Sequence, residues 1–226
     1  MTATASNPTK TDPGAIPGKP LLRGWFHLGA APVALLAGIV LVAIGPTLAG
    51  RLTAAVFTIT AVLLFGTSAI YHRGNWTTGI RGVLQRIDHA NIFLIIAGTY
   101  TPLTVMLLPK GSAILALTIV WAGAIGGLLL SVLWVTSPRW LHVPLYLGLG
   151  WVAVGFMDEF QASGGGAIVW LIAAGGIAYT LGAAVYGTKW PNPSPRYFGF
   201  HEIFHAFTIV GYVCHYIAAA IAILRA

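Results

Sequence analysis

Residues 112–135 decide the fold of this chain, and they read SAILALTIVWAGAIGGLLLSVLWV. The stretch contains no charged side chain and is longer than the roughly 20 apolar residues that a helix needs to cross a bilayer. The whole chain has a similar composition, since 57% of its 226 residues are hydrophobic and only 8% are charged. A soluble domain carries about 25% charged residues. The composition therefore predicts an integral membrane protein.

Six further apolar stretches bring the number of predicted spans to seven. Turn-forming pairs such as Gly45-Pro46 and Gly74-Asn75 interrupt the apolar sequence between them. The predicted spans are residues 28–45, 52–72, 88–108, 112–135, 141–157, 166–187 and 199–224. They indicate an all-α fold, a polytopic seven-helix transmembrane bundle over residues 23–226. Residues 1–22 are polar and rich in Pro, Thr and Gly, so we expect a disordered cytoplasmic tail there.

The distribution of Lys and Arg predicts the orientation of the bundle. Of the 12 basic residues, three lie on one side of the predicted spans, at Arg51, Lys110 and Arg225. The others lie on the side of the N-terminus, at Lys10, Lys19, Arg23, Arg73, Arg81, Arg86, Arg139, Lys189 and Arg196. Because short cytoplasmic loops are enriched in Lys and Arg, we expect the N-terminus inside and the C-terminus outside the cell (plasma or inner) membrane. This bias accounts for the net charge of +7, and the short loops offer no basic face wide enough for nucleic acid.

A group of polar residues falls at the predicted cytoplasmic ends of three spans. His201 and His205 are four residues apart, which places them on one face of a helix at the spacing of two metal ligands. His72 ends the second predicted span and Asp88 begins the third. Ionisable groups at membrane depth are expensive and usually functional. The pattern predicts a metal site, with Zn²⁺ as the ion.

A zinc ion bound by His201 and His205 would need a further ligand, because catalytic zinc takes three protein ligands and leaves one position open. His72 is the best third candidate, since it lies at the same depth. Ser68 lies one turn deeper on the same helix face, within reach as a supporting hydrogen-bond donor. Asp88 has three possible roles at such a site: metal ligand, orienting group for the water, or general base. Taken alone, Asp88 also fits a helix N-cap.

The remaining histidines and Glu202 have other predicted roles. His215 lies ten residues beyond the pair, about 15 Å deeper, so we expect it to hydrogen-bond inside the bundle or line a cavity. We expect His27 and His142 at the membrane interface, and His89 outside the ligand set. The H-E-x-x-H pattern also matches zinc proteases, in which Glu202 would be the base; the alternative is that Glu202 faces lipid headgroups.

Three blocks of sequence carry a resemblance to a known family. The blocks are Ser68-Ala-Ile-Tyr-His72, then Arg86-Ile-Asp88-His-Ala-Asn-Ile-Phe with Ala97-Gly-Thr-Tyr-Thr-Pro102, and finally His201-Glu-Ile-Phe-His205 running to His215. Together, over residues 22–225, they resemble the hemolysin III family, within the superfamily of progestin and adiponectin receptors (PAQR) and alkaline ceramidases. The resemblance implies that His72, His201 and His205 bind zinc, with Asp88 and Ser68 beside the activated water. Receptor members often carry Gln where this chain has Glu202, which disfavours the protease reading.

The function that these residues favour is zinc-dependent hydrolysis of a lipid amide, ceramide-like by the resemblance, in membrane lipid homeostasis. Membrane lipids are then the expected partners, and Asp88 takes the proton of the attacking water. Three alternatives remain open at this stage. They are a non-enzymatic, zinc-stabilised membrane sensor or regulator, a pore-forming cytolysin, and an intramembrane metalloprotease.

Overall fold

The structure is a computed structural model, and it describes residues 20–134 and 139–226, without the side chain of Arg139. Within these ranges the chain consists of α-helices, one 3-10 helix and connecting turns, and contains no β-strand. Of the expected tail, residues 1–22, the first 19 lie outside the described residues. The division of the chain at residue 22 therefore stays a prediction.

Eight α-helices and one 3-10 helix make up the described chain. The helices are α1 Trp25–Ile44, α2 Leu48–Arg73, α3 Thr78–Leu107, α4 Lys110–Leu133, α5 Arg139–Gly150, α6 Met157–Gly164, α7 Gly166–Thr188 and α8 Phe200–Leu224. The 3-10 helix Trp151–Phe156 joins α5 to α6, so that Trp140–Gly164 forms one continuous span. Seven helical segments of the described chain are thus long and apolar enough to cross a membrane. The predicted all-α bundle of seven spans is confirmed.

The third span differs from its predicted bounds. Helix α3 begins at Thr78, well before the predicted start at residue 88, because the helix continues through a polar segment that hydropathy alone places outside the membrane. Asp88 consequently lies inside α3 rather than at its start, and the N-cap position belongs to Thr77. The N-cap alternative for Asp88 is therefore wrong.

The fifth span is longer than predicted. Its prediction ended at residue 157, where the acidic pair Asp158 and Glu159 breaks the apolar sequence. In the structure this pair occupies the first turn of α6, where negative side chains favour the positive end of the helix dipole. The helix therefore continues through the acidic pair, which hydropathy had taken for a boundary.

Consecutive helices pack side by side, and the last helix closes the bundle. Helix α1 packs on α2, α2 on α3, α3 on α4, and α7 on α8, while α8 also contacts α1, α2 and α3. The core between them contains fully buried aromatic rings, among them Phe57, Phe65 and Phe93. This arrangement brings the last turn of α2 and the first turns of α8 against α3. The predicted polar group lies at that junction.

Adjacent glycines of α4 provide a test of this packing. A Cβ atom on Gly127 would lie 2.3 Å from the ring of Phe93, which is only 1% exposed, whereas a Cβ on Gly126 meets nothing within 4 Å. We expect Gly127→Ala to destabilise the bundle by about 1–3 kcal/mol, since overpacked cores cost that much. Gly126→Ala should leave stability unchanged or slightly raised. Thermal unfolding in detergent measures both, and equal melting temperatures would contradict the α3–α4 packing.

Candidate metal centre

Three imidazole rings converge where α2 meets α8. His72 lies in the last turn of α2, and His201 and His205 lie in the first two turns of α8. One ligand nitrogen from each ring can be chosen so that all three nitrogens lie within 4.8 Å of one another. The Nε2 atoms of His72 and His201 are 3.1 Å apart. The three residues predicted to share a metal ion are therefore brought together.

The donor set fits a zinc ion. Tetrahedral coordination with Zn–N bonds of about 2.0–2.1 Å places two ligand nitrogens about 3.3 Å apart, close to the 3.1 Å between His72 and His201. His205 is 2% exposed, and its Nδ1 atom has no hydrogen-bond partner among the described residues. Its ring is 4.5 Å from the ring of His201 and 5.2 Å from that of His72, measured between centroids. Two buried imidazoles and one half-buried imidazole, closely packed and with an unpartnered nitrogen on His205, form a donor set that suits a metal ion.

Asp88 and Ser68 lie beside this cluster rather than in it. The Oδ2 atom of Asp88 is 3.6 Å from Nε2 of His72, and the carboxylate does not belong to the group of atoms within 4.8 Å of one another. Ser68, one turn before His72 on α2, lies within hydrogen-bonding reach of Asp88. Both side chains are buried. The predicted proximity is present, and the position of Asp88 suits a base or orienting group better than a ligand.

A cavity of about 140 Å³ opens beside the cluster. Its polar end is lined by Ser68, Asp88, His201 and His205, and it extends along α8 as far as His215. Much of the remaining wall is apolar, with Ile92, Ile95 and Ile96 of α3 among its residues. The cluster therefore lies at one end of an elongated, largely apolar space.

His27 is part of this site, although the sequence indicated only an interfacial residue. It lies in the first turn of α1, is 2% exposed and stacks on His205, with ring centroids 3.8 Å apart and ring planes 11° from parallel. Neither of its ring nitrogens has a hydrogen-bond partner among the described residues. A buried polar group left without a partner costs about 1–3 kcal/mol. No local pattern shows this contact, because it depends on the packing of α1 against α8.

The other histidines line the cavity further from the cluster. The Nε2–H group of His215 donates to the backbone carbonyl of Ile172 at 3.2 Å, and the ring lines the cavity, so its predicted role is confirmed. His142 is buried, with its Nδ1 atom 3.3 Å from the hydroxyl of Tyr146. His89 faces His142 at a ring distance of 6.1 Å. The interfacial prediction for His142 concerned depth and stays a prediction; the structure adds that the residue is covered by α3, where its ring contacts His89 and Phe93.

Glu202 supports the start of α8. Its side chain is fully buried, its Oε2 atom accepts a hydrogen bond from the backbone N–H of Gly199 at 2.8 Å, and its Oε1 atom pairs with Arg23. The backbone N–H groups of Leu21 and Leu22 donate to the loop that precedes α8. Glu202 therefore does not face lipid headgroups. Both carboxylate oxygens are engaged by structural partners, which leaves neither for the role of protease base.

Sequence comparisons identify the family of this chain. The model of the family described as "Haemolysin-III related" matches residues 17–216. A "Hemolysin-3 homolog" of Bacillus subtilis (strain 168) is 31% identical over 156 residues, which cover 69% of this chain and 70% of that protein. A "Hemolysin-3" of Bacillus cereus is 32% identical over 127 residues, 55% of this chain and 54% of that protein. The matched region includes all of the site residues described above.

Replacement of Glu202 distinguishes a structural role from a catalytic one. Glu202→Ala leaves the Arg23 guanidinium and the Gly199 N–H without their partner, and breaking a buried ion pair in this way costs about 3–5 kcal/mol. We expect a clear fall in the melting temperature. Asp158→Ala, an exposed acid of α6, is the matched control and should have little effect. An unchanged melting temperature with loss of activity would instead favour a catalytic Glu202.

Proposed function

We propose a function from one premise: the chain belongs to the haemolysin-III related family of multi-pass membrane proteins. On this proposal it is a zinc-dependent hydrolase of a lipid amide or ester bond, ceramide-like in its linkage, that acts in membrane lipid homeostasis. The observation that carries the proposal is a group of three converging imidazoles beside a largely apolar cavity, which His201 and His205 line. We place the protein in the cell membrane, with this end of the bundle facing the cytoplasm.

The ligand set favours zinc among the common metals. His72, His201 and His205 supply only imidazole nitrogens, which suit Zn²⁺ far better than Mg²⁺ or Ca²⁺. Three protein ligands with one open position are typical of catalytic rather than structural zinc. If these three histidines hold zinc, the ion would supply a Lewis acid that lowers the pKa of water to about 7.

Asp88 is the group on this chain that is placed to take a proton. Its carboxylate lies 3.6 Å from His72, on the side of the cluster that faces the cavity. In this position it accepts the proton of the water that attacks the carbonyl carbon, and later returns it to the leaving group. Ser68 hydrogen-bonds the carboxylate and holds it in that orientation. These proposed roles are the ones that the resemblance implies for Asp88 and Ser68.

The shape and lining of the cavity support a lipid substrate. Ile92, Ile95 and Ile96 offer an acyl chain an apolar surface on the α3 side of the cavity. The scissile carbonyl then lies next to Asp88 and the histidines. A soluble substrate would gain nothing from an apolar wall within the bilayer, whereas burial of each methylene of an acyl chain contributes about 0.8 kcal/mol.

A non-enzymatic sensor or regulator is the second candidate function. The observation in its favour is that the imidazoles come from both ends of the chain, so a bound ion would clamp α2 to α8. In that case the metal contributes to stability only, and changes in bilayer composition alter the packing of the clamped helices. A metal without measurable hydrolysis would favour this candidate, and dye leakage from liposomes would favour the cytolysin.

Loss of one ligand tests the metal centre. Purified wild-type protein should contain close to one zinc per chain by elemental analysis, and His205→Ala should contain almost none, since two histidines bind zinc far more weakly than three. His89→Ala is the control, because His89 lines the same cavity outside the ligand set. Zinc retained by His205→Ala at the wild-type level would exclude this ligand set.

Replacement of the proposed base separates chemistry from metal binding. We expect Asp88→Asn to keep its zinc but to release fatty acid from a lipid panel about 10²–10⁴-fold more slowly than the wild type, the usual contribution of general acid–base catalysis. Asp158→Asn, on the far end of the bundle, should behave as the wild type. Fatty-acid release by Asp88→Asn at the wild-type rate would contradict this role, and a wild type inactive on amides and esters would favour the regulator.

A further inference from the structure

A second, smaller cavity of about 30 Å³ adjoins the cavity beside the histidine cluster. Six residues line both cavities and therefore form the wall between them, which we call the partition. They come from α3, from the junction of α5 with the 3-10 helix, from α7 and from α8: Thr99, Tyr100, Gly150, Trp151, Gly176 and His215. Beyond the partition, the second cavity continues to Leu103 of α3 and Ile172 of α7.

The partition lies at a defined distance from the histidine cluster. Tyr100 follows Asp88 by twelve residues on α3, which corresponds to a rise of about 18 Å along the helix. His215 follows His205 by ten residues on α8, which corresponds to about 15 Å. The two helices therefore agree on the length of the larger cavity between the cluster and the partition.

Hydrogen bonds between helices hold the partition in place. The hydroxyl of Tyr100 donates to the backbone carbonyl of Gly150 at 2.7 Å, which ties α3 to the end of α5. The Nε1–H group of Trp151 donates to the hydroxyl of Thr180 at 3.0 Å, which ties the 3-10 helix to α7. His215 of α8 donates to the backbone of α7 at 3.2 Å. Three side chains of the partition thus each bond a neighbouring helix, so opening the wall would break hydrogen bonds.

We propose that the partition limits the length of the acyl chain that the site accepts. The inference rests on the proposed function, which places the carbonyl group of the lipid at the histidines and the acyl chain along the cavity. A chain that just reaches the partition fills the cavity, whereas a longer chain must bend back or leave methylenes outside. Each methylene that loses its apolar surroundings costs about fourfold in affinity. Tyr100, Trp151 and His215 are then residues that determine specificity.

Gly176 offers the sharpest test of this limit. Ala173 lines the second cavity, and Thr180 and Ala183 line the first. These residues lie three, four and seven positions from Gly176, so they share its face of α7, and this face points into the cavities. No described atom lies within 4 Å of a Cβ atom built on Gly176. A larger side chain there should shorten the cavity without disturbing the packing of the bundle.

The measurement is competition between saturated fatty acids for the purified protein in detergent, read by native mass spectrometry. Octanoate, laurate, palmitate and arachidate are supplied in equal amounts, and the mass of each complex identifies the bound acid. The carboxylate is common to all four acids, so its contacts with the histidines cancel from the ratios. Detergent micelles gain as much from each methylene as an apolar cavity does, so the ratios report the fit of the chain.

We expect the bound fraction of the wild type to fall beyond one chain length. Gly176→Leu should lower the ratio of the longest accepted acid to octanoate by at least about fourfold, since at least one methylene is displaced. Gly176→Ala should lower it less. His215→Ala removes part of the partition and should raise the bound fraction of longer acids. Gly126→Leu is the matched control, because Gly126 is exposed on α4, lines neither cavity and also has no described atom near its added Cβ.

The inference is overturned by a wild type that binds none of the acids or binds them without a length limit. It is also overturned if Gly176→Leu keeps the wild-type ratios, a result that decides the question even if His215→Ala fails to fold. A wild type that shows the limit but hydrolyses no amide or ester would refute the proposed hydrolysis and support the limit. An active enzyme with unchanged ratios in Gly176→Leu would refute the limit alone.

Discussion

The structure depends on how a bundle within a bilayer accommodates four neighbouring imidazole rings. His27, His72, His201 and His205 come from the first, second and last spans and lie in ring-to-ring contact. Hydrocarbon offers no water to such groups, so each unpaired nitrogen is costly. Among these four rings, the Nδ1 atom of His205 and both nitrogens of His27 are buried without a hydrogen-bond partner among the described residues. A metal ion shared by His72, His201 and His205 would accept three lone pairs, and the binding energy would offset part of the cost of burying these groups.

The residues that hold the histidine cluster in place are as significant as the histidines themselves. Arg23, just before α1, pairs with Glu202, and Glu202 caps the first turn of α8 beside His201. The segment that leads into α1 therefore fixes the start of α8, and α1 in turn holds His27 against His205. The entry of the chain into the bundle is thus coupled to the geometry of the histidine pair. Glu202, between His201 and His205, therefore has a structural role, although its motif suggests a catalytic one.

The sequence predicts the elements of this site that depend on spacing and depth. His201 and His205 follow from helical periodicity, and His72, Ser68 and Asp88 follow from the ends of apolar stretches and from the family resemblance. The same reasoning fails for groups defined by contact between helices. His27 and His142 were expected at the interface and are buried, because hydropathy reports the depth of a residue but not which helix covers it. The predicted start of the third span at residue 88 was also wrong, because the helix extends beyond its apolar part and begins at Thr78.

If the cluster binds a metal, the cavity beside it favours a chemical role over a purely structural one. A structural site is closed by its fourth ligand, and the carboxylate nearest to this cluster, Asp88, lies beside the ligands and faces a cavity instead. A metal that served only to clamp α2 to α8 would not need that cavity. The proposed hydrolysis does need it, because a carbonyl group must enter, meet water and leave. The cavity extends away from the cluster as far as His215, with both apolar and polar side chains along its wall.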